Sequence, residues 1–265
     1  MSHWIAFQIA GDEGAAVIFL HGVGGDAEQW RPQLDFFSPR YRAIAWDMPG
    51  YGDSAPLKEM TIDALVDAVE TLFDRLSIKR AHLVGRSLGG VIAQAFARKH
   101  SDRLGSLTLV ATSTAFGQHA KSEIDDAWRQ RFIEQRLGAL DRGASLTELA
   151  PRIIKELIGD QPDPKGLEQA ILSMAALSEN SYRAAVNCLV SFDQMAGLAE
   201  IETPTLLIAG EKDPLTPPDA MMRMAEAMPT SSLEILPSAG HLANLEQPAA
   251  FNLALDHFLQ SLVLH

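Results

Sequence analysis

The sequence holds a single cysteine, Cys188, among 265 residues. An internal disulfide is therefore excluded. With no redox motif around it, Cys188 reads as a small buried apolar residue. Cationic residues are also scarce: 22 lysines and arginines stand against 34 aspartates and glutamates, a net charge of −12. A phosphate-binding surface needs a cationic excess, and no basic run occurs. Neither nucleic acid nor an anionic membrane surface is expected as a partner. No stretch approaches the roughly 18 consecutive apolar residues of a membrane span. The start, Met1-Ser2-His3-Trp4-Ile5, lacks a basic segment leading into a long apolar one, so no signal peptide is expected. A soluble protein, cytoplasmic by default, is the expectation. A homo-oligomer is compatible with the sequence, which does not fix the oligomeric state.

What is present is ordinary for a globular protein: 47% apolar and 21% charged residues. A chain of this size can bury about 70–75% of its unfolded surface, so its core needs no staple. One domain, or one domain with an insertion, is expected. The run 15–20 (AAVIFL) suits a strand buried on both faces. Residues 41–46, 81–84, 104–110, 204–209 and 232–236 read as further strands. Helices are expected at 26–37, with Asp26 as N-cap, and at 61–76, 88–100, 217–228 and 248–262. In 61–76, Ile62, Leu65, Val66, Val69, Leu72 and Phe73 recur at helical spacing on one face. Strand alternating with helix predicts a parallel sheet covered on both faces. The rhythm stops near 116 and resumes near 200. Helical stretches such as 125–137 and 167–177 fall in that gap, and no convincing strand does. The expected division is a core at 1–115, a helical insertion at 116–200 and the rest of the core at 201–265.

Residues 85–90 read G-R-S-L-G-G, between an apolar strand and an apolar helix. G-x-S-x-G in that context is a nucleophile elbow. Gly85 and Gly89 remove side chains that would clash across a tight turn. Ser87 then stands at the carboxyl end of a strand, where the next helix aims its unpaired N–H groups. A plain glycine-rich turn would explain the glycines but not the serine. A serine hydroxyl needs an adjacent base. Among eight histidines, His241 is the best candidate, because it follows Ser238-Ala239-Gly240 in a loop after the strand at 232–236. His100 and His257 fall in helices and His82 in a strand, and no two histidines have metal-ligand spacing. The base must be held in one tautomer by an acid. Asp213, in G-E-K-D-P after the strand at 204–209, lies 28 residues before His241. That is about one helix plus one strand, so the two loops can be neighbours. Glu211 is the alternative acid. For a developing oxyanion, H-G-V-G-G (21–25) offers the N–H of Val23, with Gly24 as the alternative, and the turn offers the N–H of Leu88. Neither G-x-x-x-x-G-K-[ST] nor G-x-G-x-x-G is present, which weakens a phosphate-loop reading.

Five motifs in order, H-G-V-G-G (21–25), D-M-P-G-Y-G-D-S (47–54), G-R-S-L-G-G (85–90), G-E-K-D-P (210–214) and G-H-L-A-N-L-E-Q-P (240–248), resemble the α/β-hydrolase family over nearly the whole chain. The order Ser87, Asp213, His241 is that family's. Within it the closer likeness is to bacterial carboxylesterases and 3-oxoadipate enol-lactonases. The resemblance implies a mostly parallel eight-stranded sheet flanked by helices, with 116–200 as a helical cap over the active site. It implies no metal or organic cofactor, a structural turn at 47–54, and Glu246 as an anchor of the histidine loop. The expected activity is hydrolysis of a small carboxylic ester or lactone through an acyl-enzyme. A serine nucleophile disfavours dehalogenase and epoxide hydrolase chemistry, which use an aspartate in this fold. Arg86 departs from the family's pattern: it either pairs with an acidic neighbour or helps to bind a substrate carboxylate. Trp30, Phe116, Trp128 and Phe132 are further candidates to line the pocket. So are Met174, Phe192, Met195 and Leu242, with ordinary packing as the competing reading for each. Three other activities fit the same residues: carbon–carbon hydrolysis of aromatic meta-cleavage products, cofactor-free perhydrolysis, and a ligand receptor with a residual triad.

Overall fold

The computed structural model describes residues 4–114, 126–192 and 195–263. Seven strands form one sheet in the order β1-β3-β2-β4-β5-β6-β7. They are β1 Phe7–Ala10, β2 Ala16–Leu20, β3 Arg42–Trp46, β4 Ala81–Arg86, β5 Leu104–Val110, β6 Thr205–Gly210 and β7 Ser231–Leu236. β1 runs antiparallel to β3, and every other pairing is parallel. The eight strands expected are thus seven among the described residues. Residues 7–20 supply only two apolar stretches, parted by a turn whose Gly11 and Gly14 sit at φ 80° and 83°. A third strand has no sequence there to build it.

The inner strands, β2 to β6, are largely apolar on both faces because helices cover both faces. In β2, Ile18 and Leu20 join the core beneath α2 (Ile62–Arg75) and α3 (Leu88–Lys99), while Val17 and Phe19 join the opposite core with Trp30, Phe37 and Phe251. β3 divides likewise, Ile44 and Trp46 to one side and Ala43 and Ala45 to the other. The expected helix at 26–37 is two pieces. Asp26 caps a 3-10 turn, Ala27–Trp30, by accepting the Gln29 N–H at 3.1 Å. Pro32 cannot donate a helical N–H, so a new helix, α1 (Arg31–Phe37), begins beside it.

Between β5 and β6 the described residues form four α-helices, a 3-10 helix (Met195–Glu200) and no strand: the α-helices are α4 Asp126–Asp141, α5 Leu146–Lys155, α6 Pro164–Ala176 and α7 Glu179–Val190. α5 opens with a capping box, Ser145 and Glu148 each satisfying the other's backbone N–H. The remaining helices are α8 Pro218–Ala227, α9 Ala243–Glu246 and α10 Pro248–Val263. Among the described residues, no helix is long and apolar enough to cross a membrane.

Register decides what emerges together at the carboxyl edge. Leu20 lies opposite Gly85, so the loop after β2 and the turn after β4 leave the sheet side by side. Gly210 lies opposite Leu236, which does the same for the loops after β6 and β7. α3 approaches β2 so closely that a Cβ on Gly89 would strike the Leu20 carbonyl oxygen, and one on Gly85 would strike that of Gly89. Gly89→Ala is expected to cost about 1–3 kcal/mol of unfolding free energy, measured as a lower urea midpoint with an unchanged slope.

Candidate active site

Ser87 is the single residue between β4 and α3. Its backbone is at φ 53° and ψ −118°, a sparsely populated region for a residue with a Cβ. Such a conformation costs of order 1–3 kcal/mol and persists only where its surroundings hold it. They do so here. Ser87 N–H donates to Val110 O at 2.9 Å, and Thr112 Oγ1 donates to Ser87 O at 2.8 Å. Gly22 leaves space for the Ser87 side chain: a Cβ at position 22 would come within 2.8 Å of Ser87 Cβ.

Asp213 and His241 meet across the neighbouring loops, with His241 Nδ1 2.9 Å from Asp213 Oδ2. The same oxygen accepts from Thr216 Oγ1 at 2.5 Å, and Oδ1 accepts from the N–H groups of Leu215 and Thr216 at 2.8 and 2.9 Å. Burial by itself pushes the Asp213 carboxyl up. The charge and hydrogen bond of His241 and the bonds from Thr216 outweigh burial and hold it below its ordinary value. A carboxylate can only accept, so His241 Nδ1 carries the proton and Nε2 is left with a free lone pair. The histidine loop is held by Glu246, whose carboxylate accepts from the N–H groups of Gly159, Gly240 and Leu242 at 2.7, 2.9 and 2.9 Å. His241 N–H itself donates to Leu157 O at 2.7 Å.

Ser87 and His241 line one cavity, together with Gly22, Val23, Arg86, Met174 and Leu242. Leu88 is the first residue of α3, so its N–H has no carbonyl one turn earlier to meet. The loop carrying Val23 is braced by His21, fully buried, whose Nε2 accepts from Met48 N–H at 3.0 Å while Nδ1 donates to Gly22 O at 2.9 Å. Burial lowers the His21 pKa to about 3, so it stays neutral. A strained serine and a histidine with one free nitrogen on the same cavity can attack a carbonyl and move its proton; Val23 lines that cavity with them, and Leu88 does not.

The remaining expected lining residues divide. Phe132, Met174 and Leu242 line the cavity. Trp30 does not: it is fully buried in the core, 5.0 Å from Phe19 and 6.0 Å from Phe251. Phe192 is likewise a core residue. Trp128 stacks on Phe132 at 5.1 Å and faces a second, more open pocket. These three were expected from apolar type alone, and the sheet and α4 turn them elsewhere. Phe116 and the Met195 side chain lie outside the described residues. Arg86 lines the cavity, but its partners are neutral amides, not an acid. Nη1 donates to Asn244 Oδ1 at 2.7 Å and Nη2 to Gln29 Oε1. Burial lowers its pKa to about 10, against the charges of Asp26 and Glu246. Lining residues absent from the expectation come mainly from α4, α5 and α7: Arg136, Ile153, Ile154, Tyr182, Val186 and Leu189. The α5 portion had a signal, the S-x-x-E capping box followed by Leu149, Ile153 and Ile154 at helical spacing. Among the described residues, no group of three or more His, Cys, Asp and Glu side chains could hold a metal ion.

The chain belongs to the α/β-hydrolase family: that family's model, the alpha/beta hydrolase fold, matches residues 15–248. The chain is 30% identical over 262 residues to 3-oxoadipate enol-lactonase 1 of Acinetobacter baylyi, covering 97% of this chain and 94% of the relative. It is 26% identical over 254 residues to pimeloyl-(acyl-carrier protein) methyl ester esterase of Vibrio vulnificus, covering 94% of each. Among solved structures, a thermophilic esterase of Thermogutta terrifontis superposes with a TM-score of 0.87 at 26% identity, over 98% of this chain and 94% of that one. The enol-lactonase of Burkholderia xenovorans shares the fold, with a TM-score of 0.86 at 24% identity over 97% of each chain.

The buried histidine generates a test of acid stability. His21 has a folded pKa of about 3 against an unfolded value of 6.5, so the unfolded chain takes up the proton first. Its contribution is complete above pH 6.5 and is lost as pH falls toward 3, at up to about 1.4 kcal/mol per pH unit. Asp47, raised to about 6 by burial, acts with the opposite sign between pH 6 and 3.8. The difference between wild type and His21→Gln isolates the histidine. Urea unfolding from pH 6.5 to 4.5 should show a flatter loss of stability in the variant.

Proposed function

We propose that this protein is a serine hydrolase that cleaves a small carboxylic ester or lactone through an acyl-enzyme. Ser87 is the nucleophile, His241 the base, and Asp213 the acid that orients it. The observation that carries the reading is the Asp213–His241 hydrogen bond of 2.9 Å, with His241 facing the same cavity as a serine held at positive φ. Esterase and lactonase relatives at 26–30% identity support it.

In the first step His241 Nε2 takes the Ser87 proton as Oγ attacks the carbonyl carbon. The developing oxyanion is met by the N–H groups of Val23 and Leu88, which are fixed beforehand by the loop braced on His21 and by the start of α3. His241, now an imidazolium, is stabilised by the Asp213 carboxylate and returns its proton to the leaving alcohol. Water then attacks the acyl-enzyme with His241 again as base, and Ser87 is regenerated. The segment 116–200 acts as a cap whose α4, α5 and α7 supply the apolar roof. A pocket so lined suits a substrate with a hydrocarbon body.

Ser87→Ala is expected to lower kcat on p-nitrophenyl esters by roughly 10⁴–10⁶-fold, with the thermal midpoint little changed, because alanine keeps the Cβ and the same backbone strain. A fluorophosphonate should label wild type stoichiometrically and the variant not at all. Activity of the variant within tenfold of wild type would refute the assignment. Labelling without ester turnover would retain the nucleophile and move the reaction to carbon–carbon cleavage or a specialised lactone.

A further inference from the structure

The cavity contains two buried arginines in unequal states. Arg86 has both terminal nitrogens bonded, to Asn244 and Gln29. Arg136, on α4, does not. Its side chain is only 9% exposed, and its Nη1 is buried without a hydrogen-bond partner. The carboxylate nearest to it, Glu156, stands with Oε2 3.9 Å from Nη1, beyond hydrogen-bond reach, while Glu156 Oε1 already accepts from Arg152 Nε at 3.1 Å. The guanidinium lies 5.4 Å from the Phe132 ring centroid, which supports one of its faces.

Its position matters as much as its state. Arg136 lines the cavity that holds Ser87 and His241, and it also lines the second, more open pocket. Phe132, Leu157 and Leu215 share both walls, so Arg136 stands at the junction of the two. The other shared side chains are apolar and cannot accept its proton. A buried cationic donor without a hydrogen-bond partner is costly even with a carboxylate 3.9 Å away, and a planar fork meets a carboxylate with two parallel bonds.

We infer that Arg136 is a specificity-determining residue that binds a carboxylate on the substrate, remote from the bond to be cleaved. The inference rests on the ester-hydrolase reading above and deepens it. The substrate class is an ester or lactone with one free carboxylate. Its reacting carbonyl sits at Ser87, its hydrocarbon spans the apolar wall, and its charge rests at the junction with the outer pocket. In a protein of net charge −12, this local cation offsets the general repulsion of an anionic substrate.

The test compares kcat/KM for monoethyl esters of straight-chain dicarboxylic acids, four to eight carbons long, with neutral ethyl esters of the same length. It uses wild type, Arg136→Gln and Arg136→Lys. Wild type should favour the charged ester at one chain length. Arg136→Gln should lower the charged-to-neutral ratio by roughly 10- to 100-fold, mainly through KM. Arg136→Lys should keep part of the preference. An equal ratio in wild type and Arg136→Gln would overturn the inference. If no ester turns over and Ser87 takes no fluorophosphonate, the hydrolase reading fails separately. Thermal shift with the free dicarboxylates then decides: stabilisation of wild type but not of Arg136→Gln upholds the anion site, and equal response in the two removes it.

Discussion

One buried carboxylate holds the histidine in place. Glu246 accepts the N–H groups on both sides of His241, those of Gly240 and Leu242, and that of Gly159 from the stretch after α5. Three donors on one anion satisfy groups that would otherwise be buried unpaired. Burial still raises the Glu246 pKa, so the bonds act against a desolvation cost that they do not fully cancel. The clamp joins three parts of the chain distant in sequence. It works only because the backbones touch: a Cβ on Gly240 would meet the Leu157 carbonyl, and one on Gly159 would meet that of Ser238. The stretch that follows α5 is therefore part of the site's frame. Leu157 shows this most directly, since its carbonyl receives the His241 N–H and its side chain lines the cavity.

The second constraint is the sheet. Strands buried on both faces leave few degrees of freedom, and the registers of β2 with β4 and of β6 with β7 bring four loops to one edge. Against that stiff frame the chain can hold Ser87 at φ 53°. The strain is absorbed by its bonds to Val110 and Thr112, so the serine side chain is aimed before any ligand arrives.

Much of this was legible in the sequence, and the reason is local. Ser87, Asp213 and His241 each follow a short apolar run and sit among glycines or prolines, a pattern that marks loops at strand ends. Asp26 announced its helix as a cap, and its side chain accepts the Gln29 N–H. Less local features were hidden. β1 is four residues, three of them half-buried and Ile9 exposed, too short and too weakly patterned to stand out. Trp30 and Phe192 are apolar like true lining residues, and only the packing direction separates them. For Arg86 the sequence leaves open an acidic neighbour or a substrate carboxylate; the side chain meets Gln29 and Asn244 instead of an acidic neighbour, the latter 158 residues away in sequence. Arg136 carries no motif at all, and its unpaired nitrogen is visible only once α4 lies beside α5.

The central claim is that Ser87 becomes covalently acylated during turnover. The most direct measurement is rapid acid quench of wild type with a p-nitrophenyl ester in the first turnover, followed by peptide mapping by mass spectrometry. The account predicts an acyl mass increment on the peptide containing Ser87, which accumulates with the initial burst of p-nitrophenol and decays as water attacks. Turnover with the adduct on another residue, or with no adduct under conditions that produce a burst, would contradict it.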